Sequence, residues 1–73
     1  MIQDITVRPS ADGWMVRTGA FDSEMYFLSG ALAEAAAYSL GTQIAQIGEQ
    51  VRIEIFLRDG TLGGRFIFTH PGD

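Results

Sequence analysis

Apolar and polar residues alternate through much of this chain, which is the pattern of half-buried β-strands. Ile5 and Val7 alternate with polar neighbours, and Trp14 and Val16 repeat the pattern beyond a Pro-Ser-Ala-Asp-Gly segment typical of a turn. A short β-prone run at 25–28 follows. The first third of the chain therefore predicts three strands.

The period then changes to that of an amphipathic helix, predicted over residues 30–47. Ser29 or Gly30 is the expected N-cap, because both are favoured there, and Gly48 has the position of a glycine that ends a helix. Apolar residues recur at spacings of three and four, at Leu32, Ala33, Ala36, Ala37, Leu40, Ile44 and Ile47.

Residues 51–68 predict a β-hairpin, because two alternating segments flank an Asp-Gly pair. We expect a two-residue type I′ loop at 59–60. That register places Glu54 opposite Arg65, and a slip by one residue would move charges into the core. The face of the hairpin that turns to the core then contains Val51, Ile53, Ile55, Leu57, Leu62, Gly64, Phe66 and Phe68.

Three glycines inside the predicted elements indicate close packing. Gly41 lies in the middle of the helix, where it costs up to about 1 kcal/mol relative to alanine, so a close crossing is expected there. We expect Trp14 to fill the space above it. Gly63 and Gly64 predict a β-bulge or a close approach to the strand.

These elements predict an α+β fold: a single helix packed on one face of an antiparallel sheet of four to five strands, in the order β-β-β-α-β-β. With 73 residues the chain predicts one domain. We expect an ordered core over about 2–69 and a C-terminal tail at 70–73 that frays. The strand order within the sheet does not follow from the pattern.

One helix can cover only one face of such a sheet, so the other face must meet solvent or a partner. All five arginines are predicted there while most acids lie elsewhere, so an acidic protein of net charge −4 would present a locally basic, partly apolar face. The outward positions are Thr6, Arg8, Met15, Arg17, Arg52, Glu54, Phe56, Arg58, Arg65 and Ile67.

Composition favours self-association. A chain this short buries only roughly 60% of its unfolded surface, and without cysteine it has neither a disulfide nor a cysteine zinc site to help. Every cation is an arginine, a residue enriched at interfaces. The pI of about 4.6 argues against general nucleic-acid binding, which draws its affinity from neutralising phosphates.

The sequence offers no catalytic constellation, and we predict no catalytic residues, cofactor or metal site. The single histidine, His70, lies in the predicted tail. Asp22 and Glu24 flank Ser23, but solvation of a loop explains such a cluster. The segment 60–65 lacks the Gly-Lys-Ser/Thr ending and the following helix of a phosphate-binding loop.

No apolar run approaches the roughly 18 to 20 residues of a membrane span, and the N-terminal segment has no hydrophobic region of a secretory signal. We therefore expect a cytoplasmic protein that does not bind membranes.

Two functions stay open at this stage. The first is a non-enzymatic interaction or assembly module, expected to be a homodimer, with an unidentified protein as another possible partner. Its interface would be the uncovered face, through Arg17, Arg52, Phe56, Arg65 and Ile67, or a sheet edge, or the helix. The alternative is a binder of nucleic acid or another anionic ligand through the same arginines, which the net charge disfavours. A plain solvated face, shielded by arginine stems, would need neither.

The order of these signals resembles a family of short bacterial proteins of unknown function built as β-hairpin, helix and β-hairpin. The resemblance spans residues 13–66. The family has no agreed activity, so the resemblance implies a fold and no catalytic residues. This chain departs from the pattern because it lacks a lysine-rich helix. The residues that carry the resemblance are Trp14, Val16, Phe27, Ala33, Ala37, Gly48, Val51, Ile53, Asp59 and Gly60.

Overall fold

A computed structural model describes residues 2–19 and 23–68 and confirms the predicted fold class and order of elements. The predicted fraying of the tail and the position of Asp22 lie outside the described residues. The elements are β1 (Ile2–Ser10), β2 (Gly13–Thr18), β3 (Ser23–Phe27), α1 (Gly30–Gln46), β4 (Gln50–Phe56) and β5 (Leu62–Phe68).

All five strands join one sheet in the order β3-β2-β1-β4-β5. Neighbours along the chain pair antiparallel, but β1 and β4 run parallel, so the mostly antiparallel sheet is mixed. The connection explains why β4 is parallel to β1. Strand β3 points the same way as β1, because two antiparallel pairings separate them. Helix α1, about 25 Å long, then returns the chain along the sheet, so that β4 starts in the direction of β3. The two hairpins therefore meet at the centre.

The first hairpin is tighter than the sequence indicates. Strand β1 continues through Pro9 and Ser10, which pair with Trp14 and Gly13. Only two residues, at 11–12, remain for the turn. The proline is compatible with a strand end, where a missing N–H costs little.

Helix α1 begins and ends as predicted. The Ser29 hydroxyl accepts a hydrogen bond from the N–H of Leu32 at 3.2 Å, and Gly48 has a φ of 98° just after the last turn. The prediction that Leu32 and Ile47 belong to the buried stripe is wrong, because both are exposed. The buried face consists of Ala33, Ala37, Gly41, Ile44 and Ala45.

Gly41 does mark a close crossing, but Trp14 does not fill it. A Cβ at Gly41 would lie 2.8 Å from the Phe68 ring and 3.0 Å from Cδ1 of Ile53. Trp14 lies instead against Gly30, at the start of the helix. Trp14 does face the helix, as expected, but it packs against the N-terminal end, whereas Gly41 lies in the C-terminal half.

The second hairpin confirms the predicted register from Val51–Phe68 to Ile55–Gly64, while its loop differs. The N–H of Gly60 donates to Leu57 O, and Leu57 N–H donates to Thr61 O, so the loop has three residues instead of two. The extra residue shifts the pairing by one, so Leu62 pairs with Phe56, and its predicted pairing with Leu57 in the core is wrong. A bulge at Gly63 restores the register. The predicted type I′ loop is therefore wrong and the predicted bulge is confirmed.

The core lies between α1 and the central strands. Its largest fully buried apolar side chains come from β1, β2 and β4: Ile5, Val7, Val16, Val51 and Ile53. At β5 the cover is thinner, because Tyr38 alone lies against both rings there, with centroids 5.2 and 6.0 Å from those of Phe66 and Phe68. Phe66, predicted in the core, is 40% exposed.

Candidate functional site

No element formed by residues 2–19 and 23–68 covers the face of the sheet opposite α1, and we call this the open face. The β-sheet register and the alternation of side chains decide which residues belong to it. They are Ile2, Asp4, Thr6 and Arg8 of β1; Met15 and Arg17 of β2; Glu24 and Tyr26 of β3; Gln50, Arg52, Glu54 and Phe56 of β4; and Leu62, Arg65 and Ile67 of β5.

Five residues form a row across the middle of the open face, one from each strand. In order from β3 to β5 they are Glu24, Arg17, Thr6, Glu54 and Arg65. Arg65 holds Glu54 in a forked contact, with Nε at 3.0 Å and Nη2 at 2.8 Å from the same carboxylate oxygen. This middle row therefore alternates in charge on both sides of its neutral centre.

Below it lies a lower row that contains Asp4, Arg52 and Ile67. The Arg52 Nε lies 2.8 Å from Asp4 Oδ1, and this bond with the neighbouring carboxylate raises the pKa of Arg52. Gly19 lies beside Asp4 in this row, because its N–H donates to the Asp4 carbonyl at 3.3 Å. Ile67 is 62% exposed.

The upper row is mainly apolar. It contains Tyr26, Met15, Arg8, Phe56 and Leu62 in order from β3 to β5. The Arg8 guanidinium lies over the Phe56 ring, 4.6 Å from its centroid, in a cation–π contact. Tyr26 and Leu62 at the two ends are 65% and 43% exposed.

Tyr26 also contacts the middle row. Its hydroxyl donates to Glu24 Oε1 at 3.2 Å, and the negative charge of that carboxylate, followed by this hydrogen bond, raises the pKa of Tyr26. Glu24 and Tyr26 thus form one polar unit at the β3 edge of the open face.

Arg58 does not belong to the open face, contrary to the sequence prediction. Its guanidinium lies 5.2 Å from the centroid of Trp14, which packs on the helix side, and donates to the Ser10 and Gly13 carbonyls at 3.4 and 3.3 Å. The prediction failed because the three-residue loop takes Arg58 out of the strand alternation. Arg58 ties the second hairpin to the turn of the first.

The open face is therefore close to neutral, and the predicted basic patch is wrong. Four arginines share it with three carboxylates, of which Asp4 and Glu24 escaped the sequence argument. Asp4 lies two residues before Thr6 in β1 and so faces the same side of the sheet. The strand pattern alone could therefore have placed it on the open face. Glu24 could not be placed in the same way, because β3 needs its pairing with β2 to fix the facing of its side chains.

The structure brings all five predicted site residues onto one face: Arg17, Arg52, Phe56, Arg65 and Ile67. It also adds partners that change their chemistry. Arg52 and Arg65 are ion-paired, and the Phe56 ring is half-buried beneath Arg8. Of the three arginines in this set, Arg17 is the one without a carboxylate contact among the described residues.

Other concave regions offer less chemistry. A cleft of about 370 Å³ with a mainly apolar lining lies at the β1–β2 turn between residues 10–13 and 26–28. Within residues 2–19 and 23–68, no three histidine, aspartate or glutamate side chains come together as metal ligands. The same part of the chain contains no helix that is long and apolar enough to cross a bilayer.

No family model, curated protein or solved structure matches this chain. The resemblance to short bacterial proteins therefore stays a prediction. We therefore infer a function from the geometry of the open face.

Proposed function

We propose that this chain is a small non-enzymatic assembly module that pairs with a second copy of itself through the open face. The observation that carries the proposal is the composition of that face. Exposed apolar side chains lie among four arginines, two of which, Arg52 and Arg65, are paired with carboxylates of the same face. A cytoplasmic location and the lack of catalysis stay predictions from the sequence.

Such a face suits a protein partner. Burying apolar surface contributes about 25 cal/mol for each Å² removed from water, and Tyr26, Leu62 and Ile67 offer that surface. Burying an unpaired charge is costly, whereas Arg52 and Arg65 would enter an interface together with Asp4 and Glu54. The ion pairs therefore lower the cost of covering the face.

The same geometry weakens the nucleic-acid alternative. Phosphate binding depends on cations free to replace counterions, but two of the three candidate arginines are held by carboxylates. Base stacking needs an open aromatic face, and Arg8 lies over the ring of Phe56. A partner with mixed charges fits this face better than a polyanion.

The test is the solution mass of wild type and Phe56→Glu, measured by light scattering on a sizing column over a wide range of concentration. The new carboxylate would lie beside Arg8, so the variant should fold. We expect a concentration-dependent dimer for wild type and at least about tenfold weaker association for the variant, because a charge replaces a central apolar contact.

Ile47→Glu is the matched control. It also exchanges an apolar side chain for a carboxylate, but at the exposed C-terminal end of α1 on the other side of the sheet. It should dimerise like wild type. A wild type that stays monomeric at the highest attainable concentration overturns the proposal, as does a dimer that ignores Phe56→Glu. Titration with a single-stranded oligonucleotide would then test the alternative.

A further inference from the structure

The charges of the middle row are antisymmetric about Thr6. From β3 to β5 the row is negative, positive, neutral, negative and positive. A two-fold rotation about an axis along β1 places a second copy against the first, so that the β2 and β3 side of one copy lies against the β4 and β5 side of the other. Every charge of the row then faces a charge of the opposite sign.

We propose that two copies of this chain pair open face to open face about a two-fold axis that runs along β1 through Thr6. The inference rests on the proposed function and specifies its geometry. Glu24 of one copy faces Arg65 of the second copy, and Arg17 faces Glu54. Symmetry repeats both contacts, so the dimer gains four intermolecular ion pairs.

Other positions of the axis are unfavourable. An axis between β1 and β2 would face Glu24 with Glu54, and one between β1 and β4 would face Arg17 with Arg65. An axis across the strands would face each charge of the row with its own copy. Like charges in contact across an interface cost several kcal/mol, so the middle row favours the axis along β1.

The upper row agrees with the same axis. Tyr26 faces Leu62 of the second copy, which is an apolar pair, and Met15 faces the Phe56 ring together with the Arg8 guanidinium that lies over it. Ile2, which is 49% exposed, lies on the axis and meets its own copy. These contacts supply the apolar area that ion pairs alone do not provide.

The shape of the face also agrees. A depression of about 550 Å³ lies over β1 and β2, lined by Asp4, Thr6, Arg8, Met15, Arg17 and Gly19. The two-fold axis brings the larger side chains of β4, Arg52 and Phe56, over this depression in the second copy. Arg52 faces Gly19, which has no side chain itself and whose Cβ, if added, would meet no atom of the described residues within 4 Å.

On the axis, Arg8 and Asp4 each face the same residue of the second copy. Contacts within each chain reduce the repulsion at both positions. Arg8 leans towards β4 over Phe56, so the two guanidinium groups diverge from the axis. Asp4 is bound by Arg52, so the two carboxylates lie between two arginines. Each Asp4 carboxylate is therefore paired with an arginine, whereas each Arg8 guanidinium is held by its contact with the Phe56 ring.

The contact area predicts a weak dimer. Five strands about 4.8 Å apart and three rows roughly 7 Å apart cover about 24 Å by about 21 Å, or about 500 Å² on each copy. The dimer would bury on the order of 1,000 Å² over both copies, near the lower limit for specific interfaces. Packed sheets lie about 10 Å apart, a gap that glutamate and arginine can bridge. We expect a dissociation constant in the micromolar range.

Charge exchange within one chain tests the arrangement. Variant L is Arg17→Glu with Glu24→Arg, and variant R is Glu54→Arg with Arg65→Glu. Each variant exchanges residues that lie directly opposite on neighbouring strands, so the cross-strand pair, the composition and the net charge are kept. In either variant alone, the four intermolecular contacts become repulsive.

The expected result is complementary. Variants L and R should each associate at least about tenfold more weakly than wild type, while an equimolar mixture should form an L–R heterodimer close to wild-type affinity. The four exchanges combined in one chain should restore the homodimer. The variants have equal masses, so one is isotopically labelled and the mixture is examined by native mass spectrometry, with circular dichroism as the check of folding.

The outcomes separate the two proposals. A monomeric wild type overturns the proposed function and this geometry together. A wild-type dimer with variants that dimerise normally overturns only the geometry and moves the interface to an edge or the helix. Variants that stay folded and monomeric without forming the heterodimer also overturn it, because the face would then pair about a different axis.

Discussion

At the residue scale, the glycine that begins β2 and the glycine that follows its last residue differ in the space around them. A Cβ at Gly13 would collide with the backbone carbonyl of Phe27 on the neighbouring strand, whereas a Cβ at Gly19 would meet nothing within 4 Å. A side chain can rotate away from a clash but a hydrogen-bonded strand cannot. Gly13 is therefore required by the close approach of β3.

We expect Gly13→Ala to lower the free energy of unfolding by about 1–3 kcal/mol, the usual cost of overpacking. Gly19→Ala should change it by less than about 0.5 kcal/mol, or raise it slightly because alanine restricts the unfolded chain. Urea unfolding at low protein concentration measures both. Equal effects of the two substitutions would show that the contact with β3 does not restrict Gly13.

At the scale of elements, the helix shows which local signals survive folding. Ser29 caps it, and Gly48 follows its end with positive φ, so both termini behave as their residue types indicate. The buried face is rotated from the simplest apolar stripe, because Ala33, Ala37 and Gly41 allow closer contact with the sheet than Leu32 would. Caps are local, and the choice of face is a tertiary effect.

The N-cap gives a prediction at this scale. Ser29→Ala should lower the free energy of unfolding by about 1 kcal/mol, because it leaves the N–H of Leu32 without its partner. Ser39→Ala is the control, since Ser39 lies exposed within the same helix and alanine is the better helix former there. Thermal unfolding that shows the same loss for both variants would contradict the capping role.

At the scale of the whole molecule, the sheet has a protected centre and two outer strands. β1 and β4 contain the fully buried Ile5, Val7 and Ile53, while β3 and β5 each have one long edge without a strand neighbour in the described chain. Outer strands open more readily than central ones. An unpaired edge can also recruit another strand, which makes amide exchange informative about the dimer.

We expect the amides of Ile5, Val7 and Ile53 to exchange with solvent slowest at every protein concentration. The outer-edge amides of β5 should exchange fast at all concentrations, because a face-to-face dimer leaves the edges uncovered. Hydrogen exchange followed by NMR measures both sets. Protection of the β5 edge that grows with concentration would indicate edge-to-edge pairing and contradict the proposed two-fold axis.

Local patterns predicted most of the architecture because hairpins and caps depend on residues close in sequence. The register from Val51 to Ile55 follows from alternation and from the Glu54–Arg65 pair, and both are confirmed. The loop could not be predicted, because an Asp-Gly pair is compatible with two- and three-residue loops. Here the Asp59 carboxylate accepts hydrogen bonds from Thr61, which also lower its pKa.

The sequence by itself determined the elements, their order, and the five candidate site residues on one face, because these depend on periods of two and 3.6 residues. The tertiary structure decided what surrounds those residues. The parallel pairing of β1 with β4 brought Asp4 to Arg52 and Arg8 to Phe56, and β3 added Glu24 to the face. Contacts between strands distant in sequence turned an expected basic patch into a nearly neutral surface whose middle row has antisymmetric charge.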